Sequence, residues 1–196
     1  MMIKKICFLT IFIFLFFTKT TIALESSWEG IKEAKLRLIS PISNTNIQNS
    51  VIVGLEYQLK DGWKTYWKSP GAGGFPQEIE YLKSKNIKKI EILWPSPTQI
   101  SILNLKSLGY KKKVIFPIEI ELENRLKPVD IHFNVHFLVC KDICIPGDAN
   151  LNLFIPSGKS LKLTIYAHDI EKYITQSPLK NTNFTDLQIN KSLLYI

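Results

Sequence analysis

Two cysteines four positions apart, Cys140 and Cys144 in HFLVCKDICIPGD, are the residues of this chain best placed to do chemistry. A thiol pair this close can join as a disulfide, which an outside thiolate opens again through a mixed disulfide. The competing role is a structural clip, since exported proteins carry disulfides for stability. Loop size weighs between the two. In the chain-entropy picture a closed loop of about five residues stabilises by roughly 2 kcal/mol, against about 4 kcal/mol for a loop of about 60. So local a staple adds little, and it cannot tie two sheets together as the distant cysteines of antibody domains do. The residues alone therefore favour exchange over clipping.

Lys141 beside the pair favours a thiolate and Asp142 opposes it, so the neighbours set no direction for the thiol pKa. Position is more informative. Cys140 ends an alternating segment on the face opposite Phe137 and Val139, whereas Cys144 follows a short turn and precedes Ile145-Pro146. Cys144 is the cysteine expected to meet a partner. A metal site built from His132, His136, Cys140 and Cys144 fails on geometry. Residues four apart on a strand stand about 13 Å from each other, while zinc ligands sit about 2 Å from the ion. No metal is expected, and His168 carries no signal.

The third cysteine, Cys7, lies in a segment that reads as an export signal over residues 1–23. Lys4 and Lys5 precede an apolar run from Ile6 to Phe17, and Thr21-Ile22-Ala23 offers small side chains for cleavage near Ala23. The run is about a dozen residues, short of the roughly 20 that cross a bilayer as a helix. A periplasmic, soluble mature chain with one cysteine pair is the expectation. Losing Lys4, Lys5 and Lys19 lowers the formal charge from +8 to +5. No basic stripe interleaved with aromatics accompanies it, so nucleic acid is not an expected partner.

The elements that must position the pair show a period of two. Val51, Val53, Leu55, Tyr57 and Leu59 share one parity; so do Val114, Phe116, Ile118, Ile120 and Leu122, and so do Ile131, Phe133, Val135, Phe137 and Val139. Such alternation marks strands with one face in a core. Shorter strands are expected near 33–39, 64–67, 88–94, 98–103, 149–155 and 161–166. Asp61-Gly62, Pro70-Gly71-Ala72-Gly73-Gly74, Pro95-Ser96-Pro97 and Pro146-Gly147-Asp148 punctuate them. Many short strands without intervening helices predict an all-β, immunoglobulin-like antiparallel sandwich over residues 24–166. A helix is expected within 167–176, starting near Asp169 and stopped before Pro178. The rest of 167–196 is polar and then apolar at Leu193-Leu194-Tyr195-Ile196, as if another strand began there; a fragment of a longer product is the reading preferred.

Four segments in this order, DGWKTYWKSPGAGGFPQEI, LWPSP, SLGYKKKVIFPIEI and VCKDICIP, resemble the N-terminal periplasmic domain of the bacterial thiol:disulfide interchange protein DsbD, in the branch with Cys-x-x-x-Cys spacing. The resemblance covers about residues 28–156 and implies an immunoglobulin-like sandwich. It also implies an electron-transfer role, in which the pair is reduced by a membrane-embedded thiol reductase and itself reduces periplasmic thioredoxin-fold oxidoreductases. By position, Cys144 would attack the client disulfide and Cys140 would resolve the intermediate. Trp63 and Tyr66 match aromatic positions near the family's site, although core packing explains buried aromatics equally well. Better-known members shield wider-spaced cysteines with a phenylalanine-bearing cap. The matching stretch here, Leu105 to Tyr110, has no phenylalanine, which leaves Leu108 or Tyr110 as the shielding residue. The membrane and thioredoxin-like domains of the full-length reductase are absent, so electrons would come from a separate protein or from the remainder of a longer product. The resemblance implies no cofactor and no small-molecule substrate. The alternative from another class is a non-catalytic secreted sandwich that binds a partner through its loops and uses the disulfide as a clip.

Overall fold

A computed structural model of the chain describes residues 23–71, 73–102 and 105–178. The expected export signal up to Ile22, with Cys7, and the tail beyond Pro178 lie outside the described residues. Eleven strands and one helix follow in order: β1 Glu29–Ile31, β2 Ala34–Ile39, β3 Ser50–Leu59, β4 Lys64–Gly71, β5 Glu78–Glu80, β6 Lys89–Ile92, β7 Thr98–Ile102, β8 Leu105–Lys111, β9 Lys113–Glu121, β10 Val129–Cys140, β11 Cys144–Ile155 and α1 Ala167–Thr175. They build two antiparallel sheets. One runs β1-β2-β3-β9-β6, the other β11-β10-β4-β8-β7 with β5 added on β10. Among the described residues no helix is long and apolar enough to cross a membrane.

The period-two segments become β3, β9 and β10, and their apolar parity faces the space between the sheets. Val53, Leu55, Tyr57, Phe116, Ile118, Ile131 and Val135 are completely buried there. Phe116 is the centre of an aromatic group: Tyr57, Trp94 and Tyr110 meet its ring edge-on at centroid distances of 5.0 to 5.4 Å. This geometry places the positive ring edge on the negative face of its neighbour and adds to the burial of apolar area. The result is the immunoglobulin-like sandwich that the alternation predicts.

Helix α1 caps the outer face of the five-stranded sheet. Ile170 is its one buried side chain, and it packs with Ile39 of β2 and Ile115 of β9. Charged groups tie the helix down around that contact. Glu56, buried on β3, accepts from Arg37 Nε at 2.7 Å and from Lys113 Nζ at 2.9 Å, and Lys113 also reaches Asp169 of the helix at 3.2 Å. Shaving one methylene from this contact with Ile115→Val should cost about 1 kcal/mol. A urea unfolding curve checks it; an unchanged midpoint would show that the helix is not coupled to the sheet.

Three expectations are corrected. Pro146-Gly147-Asp148, expected as a turn, instead runs within β11, opposite Leu138, Phe137 and His136. Residues 161–166 form no strand. A single bridge joins Leu163 to Ile42, and Thr164 N–H donates to Pro41 O while Lys162 O accepts from Ser43 N–H. The segment is thus tied to a bend rather than to a sheet edge, and Leu161, Leu163 and Ile165 stay exposed. The helix begins at Ala167, two residues before Asp169, which sits instead in its first turn. The carboxylate there suits the positive end of the helix dipole.

Candidate functional site: the hairpin disulfide

β10 and β11 form a long hairpin in unbroken register from Val129 opposite Ile155 to Cys140 opposite Cys144. The turn Lys141–Ile143 closes it, with Lys141 N–H donating to Ile143 O. Cys140 and Cys144 are therefore directly opposed at the last rung, with Cα atoms 4.1 Å apart, and are joined as a disulfide. Direct opposition also puts both side chains on one face of the sheet. That face is the outer one, because Val139 and Phe137 point into the core.

The two sulfurs differ in exposure. Cys140 is completely buried although it points away from the main core, while Cys144 is exposed. A small second cluster of Tyr66, Ile100, Ile102 and Cys140 explains the burial, with Leu138 packed against it. Ile100 and Ile102 are the apolar parity of β7. Gly109 of β8 lies between Tyr66 and Thr98 in the register, and a Cβ there would come within 2.6 Å of the Ile100 Cδ1 and 2.1 Å of Thr65 O. Only a residue without a side chain lets Ile100 reach across β8 toward Tyr66 while β4 stays this close.

Tyr66 supplies the polar contact. Its hydroxyl lies 3.1 Å from Cys140 Sγ and 3.8 Å from Cys144 Sγ, and burial pushes the phenol pKa up. The group stays protonated at neutral pH and has a hydrogen to offer a sulfur. The loop after β4 covers the ring. β4 follows β8 regularly to Tyr66 and then shifts register, and Gly74, at φ +100, lies so near that a Cβ would be 2.2 Å from Tyr66 Cε1 and Cζ.

Of the residues singled out in the sequence, the fold brings Cys140, Cys144 and Tyr66 together. Trp63 packs against the main core. Tyr110 also points inward, donating to Pro95 O at 2.7 Å and meeting Phe116; Leu108 is half-buried on the same inner parity of β8. Ile100, Ile102, Gly74 and Gly109 are the site neighbours that sequence reading missed. The alternation of Thr98-Gln99-Ile100-Ser101-Ile102 was the signal available for the first two. His132 and His136 face outward from β10, where His136 Nδ1 pairs with Asp148, while His132 meets Asp130 at 3.0 Å and Asn152 at 2.7 Å.

An immunoglobulin-like sandwich with a half-buried cysteine pair at a hairpin end has the parts that a thiol–disulfide interchange domain requires. Residues 39–156, more than half of the chain, match the family described as thiol:disulfide interchange protein DsbD, N-terminal, and the chain belongs to that family. Among solved structures it is similar to the N-terminal periplasmic domain of ScsB from Proteus mirabilis, with a TM-score of 0.63 and 25% identity over 82% of this chain and 62% of that one. It thus spans less than two thirds of that domain's length. A second similar structure is the reduced N-terminal domain of DsbD from Neisseria meningitidis, with a TM-score of 0.36 and 8% identity over 70% of this chain and 89% of that one. No curated protein matches at the sequence level.

Proposed function

We propose that this domain carries out thiol–disulfide exchange in the bacterial periplasm, receiving electrons from a membrane-embedded thiol reductase and passing them to thioredoxin-fold proteins. The observation that carries the reading is the asymmetry of the pair: an exposed Cys144 bonded to a fully buried Cys140. The exposed sulfur is the one open to a partner, which supports Cys144 as the attacking residue and Cys140 as the resolving one. In the reduced domain, the Cys144 thiolate attacks a client disulfide, forms a mixed disulfide and releases one client thiolate. Cys140, having given its proton to solvent, then attacks Cys144 Sγ. That step releases the second client thiolate and closes the Cys140–Cys144 bond, so two electrons have passed to the client. The periplasmic setting is supported by the ScsB domain's description and by the export signal read at the N-terminus.

In the reverse half-cycle a donor thiolate attacks Cys144 Sγ and Cys140 leaves as a thiolate. Tyr66 is the group that stabilises it, because its hydroxyl already lies 3.1 Å from that sulfur. Ile100 and Ile102 act as the shield, and we assign Trp63, Leu108 and Tyr110 to support of the sandwich. A hydrogen bond to a charged acceptor is worth about 1.5–3 kcal/mol. Tyr66→Phe should therefore raise the Cys140 thiol pKa by about one to two units and slow reduction of the pair. Thiolate absorbance followed against pH in the Cys144→Ser background measures this; a pKa unchanged by the missing hydroxyl would remove Tyr66 from the mechanism.

The decisive test of exchange is a redox titration of the purified domain in thiol buffers. An exchanging pair equilibrates at a potential within reach of periplasmic thiol proteins, above about −300 mV, whereas a clip lies below that value. The lower result would favour the non-catalytic binding module.

A further inference from the structure

Four residues form one row across the outer face of the six-stranded sheet. Cys144 is directly opposite Cys140, Cys140 opposite Lys64, and Lys64 opposite Lys111. Residues directly opposed in antiparallel strands share a face, so two ammonium groups extend the line of the disulfide. Like charges opposed in this way are destabilising, and neither is compensated. The lysines that form ion pairs among the described residues are Lys85, Lys88 and Lys113, none of them in the row. The turns beside the pair add Lys60, Lys112 and Lys141 against Asp61 and Asp142, again without an ion pair among them, and Lys32 and Glu33 in the β1–β2 turn cancel. Farther along the hairpin the carboxylates Asp148 and Glu78 flank His136, which pairs with Asp148, so the basic surplus lies at the hairpin end, with unneutralised charge in register with the reactive bond.

We propose that this lysine row selects the redox partner, and that the partner presents a disulfide flanked by carboxylates. The inference rests on the exchange reading above and adds to it the chemical class of the client. Charge complementarity raises the rate of productive encounter by about 10- to 1,000-fold in well-steered systems and acts chiefly on partner choice. An acidic rim around the client's cysteines lands on Lys64 and Lys111 as its disulfide meets Cys144, whereas a basic rim is repelled. A simpler role for the lysines, favouring the thiolate itself, would speed exchange with every disulfide alike.

Three small disulfides of similar size separate these roles: dianionic dithiodipropionate, neutral hydroxyethyl disulfide and dicationic cystamine. With each, Cys144 forms a mixed disulfide and expels one small thiolate. Cys140 then expels the second, and the loss of protein thiols gives the rate. At about 10 mM ionic strength, where screening is weak, Lys64→Gln/Lys111→Gln should slow dithiodipropionate about fivefold. It should speed cystamine by a similar factor and leave hydroxyethyl disulfide unchanged. The differences should vanish in about 1 M salt. Lys83→Gln/Lys127→Gln, at the other end of β10, should leave all three rates as they are. An equal change for all three probes, or none, overturns the partner assignment while exchange itself stands. A wild-type domain that reacts with none of the three ends the exchange reading and this inference with it.

Discussion

Cys140→Ser should accumulate a stable mixed disulfide between Cys144 and a thioredoxin-fold protein, and Cys144→Ser should accumulate essentially none. The expectation follows from accessibility. Exchange requires the attacking thiolate to reach a partner's sulfur in line with its disulfide, and Cys144 is exposed while Cys140 is completely buried beneath Tyr66, Ile100 and Ile102. Removing the resolving thiol leaves nothing to clear the intermediate, so it persists until an external thiol is added. Removing the attacking thiol leaves a sulfur that no partner can approach. Non-reducing gels of each reduced variant, mixed with oxidised periplasmic thioredoxin-fold proteins, show the difference directly. Trapping by Cys144→Ser alone would reverse the assignment, and trapping by neither variant would return the disulfide to the role of a clip.

Gly74→Val should open the roof of the site. The glycine occupies φ +100, where a β-branched residue is strained, and its place is so tight that any Cβ would sit 2.2 Å from the Tyr66 ring. Either the loop lifts or the ring leaves. A residue forced into such a backbone region costs about 1–3 kcal/mol, and local opening relieves it. Each 1.4 kcal/mol is a factor of about ten in population, so Cys140 should become about 10- to 100-fold more reactive toward iodoacetamide. The measurement uses the Cys144→Ser background, in which Cys140 is the cysteine available in the hairpin. An alkylation rate equal to that of the parent would mean that the loop does not guard the buried thiol.

Local pattern made much of the fold legible in advance. Strands β3, β9 and β10 each carry five apolar residues of one parity, and a period of two over that length leaves a single face for the core. Three strands were missed, for identifiable reasons. β1 and β5 span three residues each, too few to show a period. β8 places Ser107 and Gly109 on the outer parity and Leu108 and Tyr110 on the inner one, and with glycine and serine beside leucine and tyrosine no alternation stands out. Residues 161–166 erred the other way: Leu161, Leu163 and Ile165 alternate, but hydrogen bonding to the 41–43 bend leaves them without a sheet to join.

For the site, the sequence by itself determined the cysteine pair, its place at a strand end and the greater reach of Cys144. All three follow from spacing and parity along one stretch of chain. It could not decide between Tyr66 as a core aromatic and Tyr66 as a partner of the cysteines, nor name the shield. Those answers depend on register between distant strands, since Cys140 opposite Lys64 places Tyr66, two residues on, near the sulfurs. The same register puts Lys64 and Lys111 in line with the disulfide and turns Tyr110 inward to Phe116. Side-chain parity is fixed locally by the two-residue repeat of a strand, but which strands become neighbours is fixed by the packing of two whole sheets. For that reason the tertiary structure alone decided what surrounds the buried sulfur.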